Sequence, residues 1–309
     1  MHRPHPHPIL LAAVAALVAL PGCSVANNAM RSDFSDFNQI LQTSVTQQMV
    51  LNLVRLRHRE VPMLLRAGTL TASYESSIHA SPYAAASIDG NGGLSLGLDY
   101  GFASKPTVTY TPVEGKDYVE QFMTEVSPET FAMLVRAGWP ITKLGAVLIE
   151  RITLPSGEVL VGRPEAPSYP KFQQLLKDLQ DAEDAFALTI TAAPGGHGAV
   201  LTAGTHSYPL ESFQFRSLFA ALFQAAKCVR IPAGESAEVG SSSSFEEIAI
   251  QVSDKPPADA LVLVAYEGHF YSIARSDLRS KNTLALLMEL SRIQAGPVGP
   301  APVVTIPAR

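Results

Sequence analysis

The chain is poor in the residues that usually announce chemistry. Of its 309 residues two are cysteine, Cys23 and Cys228, and one is tryptophan, Trp139. Two thiols build neither a disulfide framework nor a four-thiolate zinc site. Charge is sparse as well, with 17% Asp, Glu, Lys and Arg and a formal net charge of −5. A mildly acidic chain without a concentrated basic surface excludes dedicated nucleic-acid binding. Signatures that fix a mechanism are missing too: there is no Gly-x-Ser-x-Gly elbow, Walker loop, dinucleotide fingerprint or His-Glu-x-x-His helix. No 20–50-residue repeat marks a solenoid or propeller. What remains is 47% apolar residues, enough for a packed core and too many for wholesale disorder.

The N-terminus carries the strongest signal. A short basic start with Arg3, His2, His5 and His7 precedes an apolar run from Ile9 to Leu20. As a helix such a run rises about 18 Å, too short to span a bilayer but suited to a secretory leader, residues 1–22. The run ends Leu20-Pro21-Gly22-Cys23, followed by Ser24. This resembles a bacterial lipobox. The residue types have chemical reasons: a thiol is the soft nucleophile that accepts a diacylglyceryl group, and Gly22 leaves the scissile bond unobstructed. The resemblance implies that Cys23 is the lipidated first residue of the mature chain. With ~0.8 kcal/mol per buried methylene, two or more acyl chains hold it stably at a membrane. Ser24, where an inner-membrane retention signal usually carries Asp, implies the periplasmic face of the outer membrane.

Residues 23–33 read as a lipidated tether. Phe34, Phe37, Leu41, Val45, Met49, Leu53 and Leu56 then recur in steps of three and four, which predicts an amphipathic helix. Gln48, Asn52, Arg55 and Arg59 are expected opposite this stripe, and Pro62 closes the helix. Met63–Ala80 and Gly93–Phe102 alternate Leu and Tyr with Ser and Thr and predict two strands around a turn at Asp89–Gly93; Pro106–Pro112 is a further strand. Helices are expected at Gly115–Glu125, Pro128–Gly138 (capped by Ser127), Tyr169–Asp184, Pro209–Lys227 and Lys281–Ile293. Ile141–Leu154 is ambiguous between helix and strand. Paired strands are expected at Ala185–Ala192 and Ala199–Ala203. Others fall at Phe245–Val252 and at Ala260–Glu267 with His269–Ala274, joined by a tight turn at Glu267-Gly268. Helices separated by hairpin-like groups predict an α+β fold, antiparallel strand groups with packed amphipathic helices. The expected organisation is an N-terminal lobe 34–162, a C-terminal lobe 163–295 and a Pro-rich tail 296–309.

Three blocks together resemble an uncharacterised family of bacterial envelope lipoproteins. The first runs from Gln48 through Asn52, Arg55 and Arg57 to Leu65. The second is Pro106–Pro112 with Gly115 and, downstream, Gly138-Trp139-Pro140. The third is Ser280-Lys281-Asn282-Thr283 with Val304-Thr305-Ile306-Pro307. The resemblance implies a shared envelope-anchored fold and carries no catalytic residues.

Candidate sites are weak. Arg55, Arg57 and Arg59, with His58, form the densest positive cluster and are candidates for binding a partner; a helix end where cations oppose the dipole is the structural alternative. His197, His206, Glu267 and His269 supply metal-ligand types without a spacing that joins them. Cys228 near the end of an apolar helix reads as a packing residue rather than a nucleophile. The expectation is therefore no catalytic residue, no metal and no cofactor. The partners expected are the membrane, through the N-terminal lipid, and another envelope protein, with no nucleic acid. The leading reading is a non-enzymatic binding, assembly or scaffold protein. The alternative is an envelope hydrolase acting on cell-wall or lipid substrates, with Glu114, Asp117 or Glu267 as its acids.

Overall fold

The computed structural model describes residues 22–85, 93–192, 199–232, 234 and 247–295. Among them it shows an α+β fold with seven α-helices and three antiparallel three-stranded sheets, besides one two-stranded sheet. Chain packing forms two units. The larger contains Val45–Arg66 and Thr111–Gly299; the smaller contains Met1–Ser44, Ala67–Tyr110 and Pro300–Arg309.

Helix α1 runs from Gly22 to Arg57, 36 residues without a break, so positions 24–33, expected as a tether, lie in its first turns. Its predicted stripe is buried only near the C-terminus. Met49, Leu53 and Leu56 are buried, together with Val50 and Val54 off the stripe, whereas Phe37, Leu41 and Val45 are only half-buried and Ile40 is 50% exposed. The helix ends in a Schellman arrangement. The N–H of Glu60 donates to Arg55 O (2.9 Å) and that of Arg59 to Leu56 O (3.2 Å). Arg59 takes the left-handed position (φ 60°) that glycine usually fills.

Strands β1 (Leu65–Ala85, 21 residues) and β2 (Gly93–Pro112, 20 residues), all but two residues of each in the smaller unit, form the two-stranded sheet. The strands expected at Gly93–Phe102 and Pro106–Pro112 are thus one. Seven residues connect β1 to β2. Their reach of about 25 Å cannot return the chain along a strand of about 65 Å, so the pair is antiparallel. Of the turn expected at Asp89–Gly93, positions 89–92 lie outside the described residues, and Gly93 opens β2.

The larger unit is assembled from short elements. Helix α2 (Gly115–Tyr118) continues as a π-helical turn, Val119–Met123. Helix α3 (Pro128–Arg136) starts as expected: Ser127 Oγ accepts from Thr130 N, and Pro128 fills the first turn. The ambiguous stretch divides into α4 (Ile141–Leu148) and β3 (Ile149–Thr153). After β4 (Val159–Val161), α5 (Tyr169–Asp184) buries Phe172, Leu176 and Leu179. Strands β5 (Leu188–Ala192), β6 (Ala199–Ala203) and β7 (His206–Pro209) form one meander.

The helix expected over Pro209–Lys227 is a correction. A 3₁₀ turn (Leu210–Ser212) and β8 (Phe213–Phe215) occupy its first half, and α6 is only Leu218–Ala226. Phe213 and Phe215 are buried with Gln214 exposed between them, a period of two, and Ser217 caps α6 through Ala220 N. Strand β8 pairs with β3, giving the order β4-β3-β8. That pairing crosses the expected boundary at 162/163, so the lobes 34–162 and 163–295 do not describe the packing; both contribute to one core. Strand β9 is shorter than expected, Gln251–Ser253, and joins β10 (Ala260–Tyr266) and β11 (His269–Ala274) in the order β10-β11-β9. Glu267 (φ 46°) and Gly268 (φ 82°) make the expected two-residue turn. Helix α7 (Leu278–Gln294) buries Leu284, Leu286, Leu287 and Leu290.

Candidate functional site

The basic cluster at the end of α1 is divided by packing. Arg57 is buried, with burial holding its pKa below the usual value while the neighbouring Cys228 opposes the shift. Arg55 is half-buried and Arg59 exposed. The three arginines therefore do not form one solvated patch. His58 turns inward as well: its Nε2 lies 3.2 Å from Tyr271 Oη, and its ring centroid is 5.2 Å from that of Tyr266.

Asn52, expected on the exposed side, is buried and sets the path of the next segment. Its Nδ2 donates to Met63 O (2.9 Å), and its Oδ1 accepts from Met63 N (3.0 Å). Both backbone groups of Met63 are thereby satisfied by one side chain, which fixes the chain after Pro62. The result is a held surface. Arg59, Val61 (84% exposed) and Met63 (55% exposed) face solvent around the buried Pro62. A cation beside exposed valine and methionine has the composition of a protein-contact surface, where Arg and Met are enriched.

The other candidates are not brought together. Glu114, Asp117 and Glu267 are all exposed. His269 Nδ1 lies 3.1 Å from Asp254 Oδ1. His206 is exposed on β7, and His197 lies outside the described residues. Among the described residues, no three His, Cys, Asp or Glu side chains gather as a metal site. Burial pushes the Cys228 thiol up to about 12, so it is protonated at neutral pH and packs against the core.

Two polar knots had no counterpart in the sequence reading. Arg216 is buried directly after β8 and donates Nη1 to Ala146 O and Val147 O (3.0 Å each) and Nη2 to Gly162 O (2.5 Å). It satisfies the last carbonyls of α4 with a cation at the negative end of the dipole. Burial lowers its pKa to about 10, with Glu150 opposing, so it stays charged at neutral pH. Gly162 must lack a side chain here, because a Cβ would sit 2.5 Å from Ile149 O and 2.8 Å from Phe172 Cζ. In the second knot, Lys143 on α4 pairs with Glu247 and donates to Thr283 Oγ1 on α7 (3.0 Å), while Thr283 donates to Glu247 O (2.5 Å). Both knots hold elements together.

No protein-family model, curated protein or solved structure matches the chain.

Proposed function

We propose that the chain is a lipid-anchored envelope protein, held by Cys23 at the periplasmic face of the outer membrane, with a binding or assembly role rather than a catalytic one. The observation that carries this reading is the sequence Leu20-Pro21-Gly22-Cys23 at the end of the apolar run. Its resemblance to a family of envelope lipoproteins points the same way. The surface Arg59-Val61-Met63 is where another envelope protein docks in this reading, because Asn52 holds its backbone in place and ordering costs little on binding.

The test is Cys23→Ser in cells. Mass spectrometry is expected to find a precursor that retains residues 1–22 and lacks the diacylglyceryl mass. Normal maturation of that variant would falsify the reading.

A further inference from the structure

The two-stranded sheet has a pattern that the body of the protein does not use. In β1 the even-numbered positions from 68 to 84 are Gly, Leu, Ala, Tyr, Ser, Ile, Ala, Pro and Ala. In β2 those from 94 to 110 are Leu, Leu, Leu, Tyr, Phe, Ser, Pro, Val and Tyr. Odd positions carry Thr69, Thr71, Ser73, Glu75, Ser77, His79, Ser81 and Tyr83 in β1, and Ser95, Asp99, Lys105, Thr107 and Thr109 with Gly97, Gly101 and Ala103 in β2. Of the charged residues of the two strands, Glu75, Asp99 and Lys105 are odd, and Arg66, at the start of β1, is even. A strand's period of two sorts these sets onto opposite faces.

We propose that β1 and β2 form one hairpin of a transmembrane β-barrel assembled from several copies of this chain. The proposal deepens the assembly role above: the partners are further copies, and the apolar face meets lipid. Three arguments carry it. The charge partition is that of a barrel wall, apolar toward lipid and polar toward the lumen. Length is the second. A tilted strand crosses the hydrocarbon with about 9–11 residues. Tyr74–Ala84 and Leu94–Phe102 supply such a stretch. Strand edges are the third. Among the described residues this sheet has two strands, so each has one unpaired edge. In lipid every backbone group needs a partner, and only a closed barrel provides it.

Since the smallest barrels have about eight strands, at least about four copies are needed.

The test uses the full chain in a Cys228→Ser background, reconstituted into phosphatidylcholine vesicles. Single cysteines replace Ile78, Leu96 and Leu98 on the even set, and Ser77, Ser95 and Gly97 on the odd set. Even-position fluorophores are expected to be quenched several-fold more by bromolipid, and odd positions to react several-fold faster with a water-soluble maleimide. The wild-type protein is expected to cross-link into a closed oligomer and to conduct ions across a planar bilayer. Equal labelling of both sets overturns the proposal. So does alternation in a chain that stays monomeric. If cysteine variants misfold, the wild-type oligomer and conductance still decide, and absence of both overturns it. Repeating the panel with Cys23→Ser separates the readings: alternation retained without the lipid mass supports the barrel even where the anchor fails.

Discussion

The two ends of helix α1 share one sequence pattern and meet different fates. Steps of three and four place apolar residues on one stripe from Phe37 to Leu56. Toward the C-terminus Met49, Leu53 and Leu56 of that stripe are buried in the larger unit; toward the N-terminus Phe37 and Leu41 are only half-buried, and Ile40 beside them is half exposed. Amphipathic periodicity therefore reports which face a helix can bury, and it is silent on how far along the helix a partner exists. The same contrast separates the sheets. Strands β3, β8 and β11 are three to six residues long and bury side chains in the core. Strands β1 and β2 are 21 and 20 residues long, with two-residue alternation over much of their length. Short strands in the body are completed by their own chain, whereas the long pair carries an apolar set and two edges that the proposed barrel completes.

The contrast within α1 breaks or holds on a pair of substitutions. Leu53→Asp introduces a charge with no partner at a fully buried position, and a loss of about 4 kcal/mol or more is expected. Ile40→Asp is expected to change the stability of the body by less than about 0.5 kcal/mol, as surface substitutions do. Chemical denaturation of the two variants checks both figures. A small effect at Leu53 would mean that the packed stripe is not the anchor of the larger unit. A large effect at Ile40 would extend the core up the helix.

Within the larger unit, Arg216 sharpens the comparison, because its role is internal to that unit. Arg216→Ala leaves the carbonyls of Ala146, Val147 and Gly162 without their donor. Buried acceptors left unsatisfied and a vacated side-chain volume together predict a loss of about 3 kcal/mol. Arg216→Lys is expected to recover only part of it, since a single ammonium cannot reproduce the planar fork. Denaturant midpoints of the two variants give the ranking, and equal losses would show that the fork geometry is irrelevant.

What was legible in the sequence follows from how local each signal is. Ser127-Pro128 marked the start of α3, and Glu267-Gly268 marked a two-residue hairpin, because caps and tight turns depend on neighbouring residues. Phe213-Gln214-Phe215 misled, since its apolar residues also fit the helical run that follows them. Only pairing with β3, more than 50 positions away, decides for strand. The end of α1 was legible as a stop at Pro62, but not as a Schellman turn with Arg59 at the left-handed position, because no glycine marks it. The candidate surface was half legible. The basic residues stood out, while the burial of Arg57 and the Asn52 clamp on Met63 depend on tertiary contacts that spacing does not encode.

The smallest expected effect tests a helix start in the same larger unit. Asp277 caps α7: its Oδ1 accepts from Ser280 N (3.0 Å) and its Oδ2 from Ser280 Oγ (2.5 Å), while Ser280 Oγ itself accepts from Ala249 N (2.8 Å). Burial alone raises the Asp277 pKa. The hydrogen bonds from the Ser280 hydroxyl and from the N–H groups of Ser280 and Arg279 outweigh it, and the net shift is downward. A carboxylate whose pKa is lower folded than unfolded adds stability that is fully present above the unfolded value of about 3.9. That contribution is lost as pH falls through the folded value, which lies lower still. Asp277→Asn keeps an acceptor for Ser280 N but loses the charge and the second oxygen acceptor, so a deficit of about 1 kcal/mol is expected at pH 7. Thermal melts of wild type and variant should stay about that far apart down to about pH 5 and converge as pH falls below about 4. A gap that persists unchanged at pH 2 would show that the Asp277 charge contributes nothing to the cap and that the loss arises from packing around Ser280.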